Sequence, residues 1–261
     1  MKNIEIGIFG SGNVAHHLAT GLFHAGLPIR FICSRNVKKG KAIARATGAA
    51  WYSTVPETSA KHAVLYICTS DDAIQRIMKQ NSKSGYILVH CSGSIALIDG
   101  AAYAHGTGVF YPVQSFSSEL KVDWSTVPIC LEGSNPKVLS LLKHTAKLLS
   151  KKVTMMNSRQ RLMVHLAAVF ANNFSNAQYA IAELILKENN LSFDLLRPLI
   201  TATAEKVQHS SPVTVQTGPA QREDFKSIKA HLSILKEIPE VRNIYNSLTK
   251  FIISNKKRAG K

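Results

Sequence analysis

The sequence has few cysteines, few acidic side chains and no long hydrophobic run. Its 261 residues include four cysteines, and only 16 Asp and Glu against 32 Lys and Arg, which gives a formal net charge of +16. Without a run of about 18 apolar residues, no membrane-spanning segment is predicted. An apolar strand pattern begins within the first residues, so we expect no secretory leader. Cys33, Cys68, Cys91 and Cys130 follow no metal-ligand spacing. We therefore expect free thiols, no metal site and a cytoplasmic location.

The excess of basic residues indicates either an anionic ligand or a general attraction to nucleic acid. The lysines are scattered, apart from a cluster over residues 256–261. The sequence shows no stacking aromatic motif of the kind found in RNA-binding modules. We therefore expect a generally basic surface and a small-molecule ligand, without a specific nucleic-acid partner.

A glycine-rich turn between an apolar strand and a helical pattern is the most informative motif. Residues 4–9 alternate as a strand, and apolar residues at helical spacing follow over 15–23. This is typical of the first turn of a dinucleotide-binding βαβ unit, in which the helix N-terminus meets the pyrophosphate. A glycine-rich turn is often only a turn, but here both flanking elements fit the motif. The predicted dinucleotide-binding residues are Gly10, Ser11, Gly12, Asn13 and Val14.

Alternating strand and helix patterns cover the first part of the chain. Strands are predicted at 29–34, 51–52, 63–69, 86–91, 108–111, 128–131 and 152–155, and helices at 38–47, 71–79 and 135–149. This alternation predicts an α/β domain with a doubly wound parallel sheet, a Rossmann domain, over residues 1–156. Residues 158–188 contain no glycine or proline and carry apolar residues at helical spacing. We predict one long, largely buried helix there, opening an all-α domain over 157–261 with further helices at 193–208, 220–237 and 239–254.

The end of the second predicted strand indicates which nicotinamide cofactor is bound. An acidic residue there favours NAD, whereas an arginine accommodates the 2′-phosphate of NADP. This chain has Ser34 and Arg35, with no acidic residue before Glu57. We therefore predict NADP, with Ser34 and Arg35 at the 2′-phosphate. The alternative is an ordinary solvated loop arginine.

Polar residues follow three further strands, where the carboxyl ends of a parallel sheet form a ligand crevice. We expect Thr69 and Ser70 to pack against the cofactor, and Ser92 and the strand end at residues 111–116 to border the nicotinamide or substrate side. Asp71 is interpreted equally well as a helix N-cap or as a ligand contact. His90 is interpreted as a packing residue.

The long predicted helix carries one polar stripe, formed by Arg161, His165, Asn172 and Asn176, with Asn173 beside it. A buried polar stripe is costly unless its groups are paired or meet a ligand. One interpretation makes His165 the proton donor or acceptor near the nicotinamide, with Asn172 or Asn173 orienting a substrate oxygen. The alternative is a set of satisfied core groups or an inter-subunit contact.

Residues 217–224, Thr-Gly-Pro-Ala-Gln-Arg-Glu-Asp, are the other distinctive stretch. Proline at the first helical position and acidic residues in the first turn favour a helix start. The same stretch, with its arginine, is also compatible with an anion site.

Three sequence segments, at residues 10–19, 165–174 and 218–224, resemble those of the Rossmann-like proteins with a C-terminal DUF2520 domain. The resemblance implies a fold similar to 6-phosphogluconate dehydrogenase and pyrroline-5-carboxylate reductase, with an NADP-binding domain and a helical dimerisation domain. The family's last motif usually reads Gly-Pro-Ala-x-Arg-Gly-Asp, and Glu223 replaces its second glycine here. The lysine-plus-asparagine pair of the β-hydroxyacid dehydrogenases is absent as such, although His165 with Asn172 or Asn173 occupies roughly that region.

Together these patterns predict an NADP-dependent oxidoreductase acting on a small, possibly anionic carbonyl or imine substrate. The alternative is a non-catalytic protein that binds or senses NADP(H). We expect a homodimer formed mainly by the region after residue 158.

Overall fold

The computed structural model describes residues 4–60, 62–103, 105–117 and 120–259. These residues form two compact units, which divide between Asn173 and Phe174. The change from strands to helices falls where the 156/157 domain boundary is predicted. The compact units divide later in the chain, so the first turns of the long helix belong to the same unit as the sheet.

The first unit is built on a single eight-stranded sheet with the order β3-β2-β1-β4-β5-β6-β7-β8. Its strands are β1 (Glu5–Phe9), β2 (Ile29–Cys33), β3 (Ala50–Tyr52), β4 (Ala63–Ile67), β5 (Ile87–His90), β6 (Thr107–Pro112), β7 (Ile129–Gly133) and β8 (Val153–Met155). All described residues of β4 and β5 are buried, which explains their continuous apolar sequence. The predicted α/β fold class with a doubly wound sheet is confirmed.

One strand pair departs from the predicted parallel sheet. β6 and β7 pair in antiparallel fashion, whereas the other neighbouring strands pair in parallel. Only a short 3₁₀ turn, Trp124–Thr126, lies in the described part of the connection between them. A parallel pair needs a crossover, usually through a helix, so this connection returns the chain antiparallel.

The helices of the first unit are α1 (Asn13–His24), α2 (Val37–Thr47), α3 (Asp71–Gln80), α4 (Pro136–Leu149) and α5 (Ser158–Ala168). Their ends follow local sequence rules. The side chain of Asn36 caps α2, and Gly48 ends it in the left-handed conformation. The predicted start of α4 is confirmed, because Asn135 accepts a hydrogen bond from the Val138 N–H and Pro136 occupies the first turn.

The long helix predicted over 158–188 is helical throughout but changes its geometry in the middle. A π-helical segment, Val169–Phe174, follows α5, and α6 (Ser175–Glu188) comes next. The prediction that this helix is largely buried is wrong for the single chain. Arg161 is the buried residue of α5, whereas Leu162, Met163 and Leu166 are 40–50% exposed.

The second unit is helical and has a very small core. After α6 it contains a 3₁₀ turn at Phe193–Leu195, then α7 (Arg197–His209), α8 (Pro219–Arg222), α9 (Phe225–Ile234), a 3₁₀ turn at Leu235–Glu237 and α10 (Pro239–Ala259). Among its described side chains only Ala220, Ile228, Leu235 and Val241 are buried. No helix in the described part of the chain is long and apolar enough to cross a membrane.

The single helix predicted over 220–237 is interrupted at Glu223. Glu223 adopts a left-handed backbone with φ of 58°, which ends α8 after one turn. Asp224 then caps α9 by accepting hydrogen bonds from the N–H and hydroxyl of Ser227. The stretch therefore forms a tight connection between two helices, and the helix-start interpretation describes it better than an anion site.

Candidate functional site

The turn between β1 and α1 has the backbone geometry that a phosphate-binding turn requires. Gly10 has a φ of 125°, and a Cβ added to it would lie 2.2 Å from the carbonyl oxygen of Cys68. Gly12 is the N-cap of α1, and a Cβ there would meet no atom within 4 Å. No side chain caps the helix, so its first N–H groups remain available to a ligand. Residues and geometry therefore fit a dinucleotide pyrophosphate.

An open cavity of about 940 Å³ lies at this turn, where the carboxyl ends of β1, β2, β4 and β5 meet. Its size suits a small ligand or cofactor. The structure brings all ten predicted cofactor residues to its lining: Gly10, Ser11, Gly12, Asn13, Val14, Ser34, Arg35, Thr69, Ser70 and Ser92. The predicted catalytic histidine, His165, lines the same cavity.

The two residues predicted at the 2′-phosphate have different surroundings. Ser34 is buried, and its hydroxyl donates to the Asn36 carbonyl at 3.1 Å and accepts from Trp51 Nε1 at 3.2 Å. Arg35 is exposed and forms no ion pair among the described residues. Ser34 thus supports the loop, and the Arg35 guanidinium is the group available to an anion.

The side chain of Asn13 fastens the segment after β6 to the start of α1. Its amide donates to the carbonyl oxygen of Phe116 at 2.9 Å. One turn later, His17 Nε2 lies 2.7 Å from the carbonyl oxygen of Ser117, and the His17 ring stacks on Phe116. These contacts place Phe116 and Ser117 beside the start of α1, although the sequence gives no local signal for the contact.

Hydrogen bonds order the loop after β5. The hydroxyl oxygen of Ser92 accepts from the N–H groups of Ser94 and Ile95, each at 3.1 Å. The Ser94 hydroxyl donates to the carboxylate of Asp71. Ser70, and not Asp71, occupies the N-cap position of α3, so the N-cap interpretation of Asp71 is wrong. Asp71 holds the loop and also lines the cavity.

His90 is a packing residue, as interpreted from the sequence. It is fully buried, its Nδ1 accepts from the Ser92 N–H, and its Nε2 faces the Ala96 carbonyl at 3.3 Å. Burial, together with the positive charge of Arg161, lowers the pKa of His90 to about 4. The imidazole is therefore neutral near pH 7 and supports the loop after β5.

Arg161, the first member of the predicted polar stripe, is a buried, ion-paired core group, although its Nε has no hydrogen-bond partner among the described residues. Its guanidinium forms an ion pair with Glu132 and donates to the Ile95 carbonyl at 2.5 Å. Glu132 also accepts hydrogen bonds from the backbone and hydroxyl of Ser158, the first residue of α5. This network anchors α5 to the end of β7. For Arg161, the interpretation as a paired core group is therefore better supported than a contact with a ligand.

His165 forms a pair with Tyr111 at the edge of the cofactor cavity. Its Nδ1 lies 3.2 Å from the Tyr111 hydroxyl, and the rings meet edge to face with centroids 5.9 Å apart. Gly93 leaves room for both rings, because a Cβ there would lie 2.7 Å from Tyr111 and 2.8 Å from His165. Burial raises the pKa of Tyr111, so its phenol stays protonated near neutral pH.

A second cavity of about 530 Å³ adjoins the first and shares Tyr111 and His165 with it. The predicted residues Asn172 and Asn173 line this second cavity, together with Gln114. Asn176, the last residue of the stripe, belongs to the second unit and lines a different groove. The residues of the stripe thus have different surroundings: Arg161 lies in a core ion pair, His165 and Asn172 line cavities of the first unit, and Asn176 lies on the second unit.

Sequence reasoning missed two features of the site. Cys68 and Cys91 were expected only as buried thiols, yet both line the cofactor cavity. Gly93 was not singled out, although a glycine directly after a buried strand signals close packing at a strand end.

The described part of the chain contains no group of three His, Cys, Asp or Glu that could hold a metal ion.

The chain is similar to known proteins over nearly its whole length. Residues 5–93, which contain most of the lining of the first cavity, match the family model "NADP oxidoreductase coenzyme F420-dependent". Residues 127–252 match "Domain of unknown function (DUF2520)". The protein BF3122 from Bacteroides fragilis is 34% identical in sequence to this chain. It has a crystal structure, and its description as an NADP oxidoreductase is a provisional assignment. The match covers 97% of this chain and 99% of BF3122, with a TM-score of 0.88. This chain belongs to the DUF2520 family.

More distant structures share the fold of this DUF2520 protein. A reductive aminase from Aspergillus terreus, solved with NADPH and ethyl-5-oxohexanoate, is 14% identical over 97% of this chain and 94% of its own, with a TM-score of 0.70. A pyrroline carboxylate reductase from Plasmodium falciparum, solved with NADP, is 13% identical over 99% of this chain and 100% of its own, with a TM-score of 0.58. No curated protein gives a significant sequence match. The resemblance recognised in the sequence is confirmed.

Proposed function

We propose that this protein is an NADP-dependent oxidoreductase that reduces a small carbonyl or imine compound. One observation carries the proposal: a single cavity joins the glycine turn and Arg35 at one side to the His165–Tyr111 pair at the other. Such an arrangement suits a dinucleotide whose phosphates meet the turn and whose nicotinamide approaches the pair. The bound cofactor supplies hydride chemistry, while the protein supplies orientation and a proton.

The chain's own residues have separate tasks in this proposal. The N–H groups at the start of α1 bind the pyrophosphate, and Arg35 pairs with the 2′-phosphate. Thr69, Ser70 and Ser92 border the cofactor from the ends of β4 and β5. His165, held by the Tyr111 hydroxyl, donates or accepts the proton that accompanies reduction or oxidation.

The second cavity is the proposed substrate pocket, where Asn172 or Asn173 orients the reacting oxygen or nitrogen. Its described lining contains no lysine or arginine. The proposed anionic character of the substrate therefore rests on the overall charge of +16, which steers anions towards the protein. The neighbours solved with NADPH or NADP include an aminase and a pyrroline carboxylate reductase, which supports a carbonyl or imine substrate class.

A non-catalytic NADP(H) sensor is less well supported. A sensor needs the glycine turn and Arg35 but has no use for an imidazole and a phenol paired at the far side of the cavity. The His165–Tyr111 pair therefore favours an enzyme. A cytoplasmic location and the absence of a specific nucleic-acid partner stay predictions.

The cofactor assignment predicts a clear preference for NADPH over NADH. Replacing Arg35 with alanine removes the free guanidinium and is expected to weaken NADPH binding about tenfold to hundredfold, with little change for NADH. Calorimetric titration of both nucleotides measures this directly. Arg45→Ala is the matched control, because Arg45 is an exposed arginine in the last turn of α2 and does not line the cavity. Equal affinity of the unaltered protein for both nucleotides, or none for either, contradicts the assignment.

We also propose a homodimer formed mainly by the helices after residue 158. The second unit buries only four of its described side chains, while large apolar residues such as Leu195, Leu199 and Ile234 are more than 60% exposed. Exposed apolar surface of this extent marks an interaction site. Sedimentation velocity is expected to show a dimer across a wide concentration range. A monomer that persists at every concentration contradicts this proposal.

A further inference from the structure

Two cysteines meet on the floor of the cofactor cavity. Cys68 and Cys91 directly follow β4 and β5, whose last paired residues are Ile67 and His90. Their sulfur atoms lie 3.7 Å apart, and both residues line the cavity. The other two cysteines, Cys33 and Cys130, are buried and are not among the lining residues.

The backbone positions suit a covalent bond between these two sulfurs. Neighbouring strands lie about 4.8 Å apart, and disulfides usually join Cα atoms separated by about 4.4–6.8 Å. Because the two residues continue a paired register and their sulfurs already touch, side-chain rotation with a small backbone shift at the ends of β4 and β5 brings them to bonding distance. No large movement of the strands is required.

We propose that Cys68 and Cys91 are an oxidisable dithiol, and that their reversible disulfide lowers the affinity of this protein for its nicotinamide cofactor. The proposal rests on the proposed function, because it takes the cavity as the cofactor site. Hydrogen peroxide is the oxidant. One thiol sulfur attacks the peroxide to give a sulfenic acid and water, and the second thiol displaces the hydroxyl as a second water to form the disulfide. A dithiol reductant restores both thiols.

The position of the two thiols at the cavity floor affects the rate of oxidation. The hydrogen bond to Cys68, and then burial, raise the pKa of the Cys91 thiol well above its usual range. Cys91 therefore keeps its proton near neutral pH. Since a thiolate is the reactive form, oxidation is expected to be slow compared with that of a dedicated peroxidatic cysteine.

The backbone of Cys68 connects the dithiol to the phosphate-binding turn. Its N–H donates to the Phe9 carbonyl at 2.8 Å, and its carbonyl oxygen closes the space beside Gly10. A disulfide that draws Cys68 towards β5 pulls on this turn, where the pyrophosphate is expected. By thermodynamic linkage, a bound cofactor must in turn oppose formation of the disulfide.

The test treats the full-length protein with hydrogen peroxide, removes the oxidant and measures two quantities. Peptide mapping by mass spectrometry identifies the bridged cysteines, and fluorescence titration measures NADPH affinity before oxidation, after it, and after dithiothreitol. We expect a Cys68–Cys91 bridge, an affinity at least about fivefold weaker, recovery on reduction, and slower bridging when NADPH is present.

Variants separate this pair from the other thiols. Cys68→Ala and Cys91→Ala are each expected to remove the affinity change, whereas the double variant Cys33→Ala/Cys130→Ala retains it. A different bridge, overoxidation of one cysteine without a bridge, or a Cys68–Cys91 bridge with unchanged affinity overturns the proposal. If the reduced protein binds NADPH and no bridge forms, only this inference fails. If the reduced protein binds neither NADPH nor NADH, the proposed function fails. The proposed effect of the Cys68–Cys91 disulfide on cofactor affinity then fails as well.

Discussion

Replacing Glu132 with alanine is expected to lower the free energy of unfolding by about 3–5 kcal/mol. Glu132 is the ion-pair partner of Arg161, whose side chain is only 1% exposed. Without the carboxylate, a buried guanidinium keeps its charge and loses its counter-ion, while the backbone and hydroxyl of Ser158 lose their acceptor. Urea unfolding followed by circular dichroism measures the loss.

Two further variants make this result specific. Glu205→Ala removes an exposed acidic residue of α7 and is expected to change stability by no more than about 0.5 kcal/mol. The double variant Glu132→Leu/Arg161→Met removes both charges together, so it is expected to recover much of the stability lost in Glu132→Ala. A loss below about 1 kcal/mol in the single variant would show that the ion pair does not hold α5 to the sheet.

The features that could be predicted from the sequence are those encoded by neighbouring residues. The strand, glycine turn and helix at residues 4–23 are consecutive, so alternation, a Gly-x-Gly spacing and a helical period suffice to predict them. The same holds for the start of α4, where Asn135 and Pro136 stand side by side. The ten predicted cofactor residues come together because the carboxyl ends of parallel strands necessarily meet at one edge of a sheet.

The features that could not be predicted depend on residues distant in sequence or on whether an apolar helix face is covered in the fold. Glu132 and Arg161 are far apart in sequence, so the stripe on the long helix gives no sign that its first member is paired. The apolar face of that helix was interpreted as buried because hydrophobic periodicity does not distinguish a core from an interface. In the single chain Leu162, Met163 and Leu166 remain exposed.

Glu223 shows how a family pattern gains a physical meaning from the structure. The usual family motif has glycine at this position, and Glu223 here adopts a left-handed backbone with φ of 58°. Glycine populates that conformation at little cost, whereas a residue with a Cβ is strained there. The family glycine is therefore explained by the tight connection between α8 and α9, and it does not require a ligand approaching the backbone at this point.

Replacing His165 with alanine is expected to reduce turnover by about 10²- to 10⁴-fold while leaving NADPH affinity nearly unchanged. The imidazole is placed at the junction of the cofactor cavity and the second cavity, and it is held there by the Tyr111 hydroxyl. Removing it deletes the proposed proton-transfer group but none of the groups proposed to bind the phosphates. The measurement is NADPH oxidation with a panel of ketones, oxo acids and imines, using the best substrate of the unaltered protein.

Two comparisons show whether the histidine itself transfers the proton. Tyr111→Phe keeps the ring beside Gly93 but removes the hydroxyl that holds His165, so a smaller loss of turnover is expected than in His165→Ala. His209→Ala, at an exposed histidine at the end of α7, is expected to leave turnover unchanged. Full turnover in His165→Ala would transfer the proton-donating role to Tyr111 or Ser92. A larger loss in Tyr111→Phe than in His165→Ala would identify the phenol as the donor, because the phenol, with its pKa raised by burial, then acts on the substrate directly.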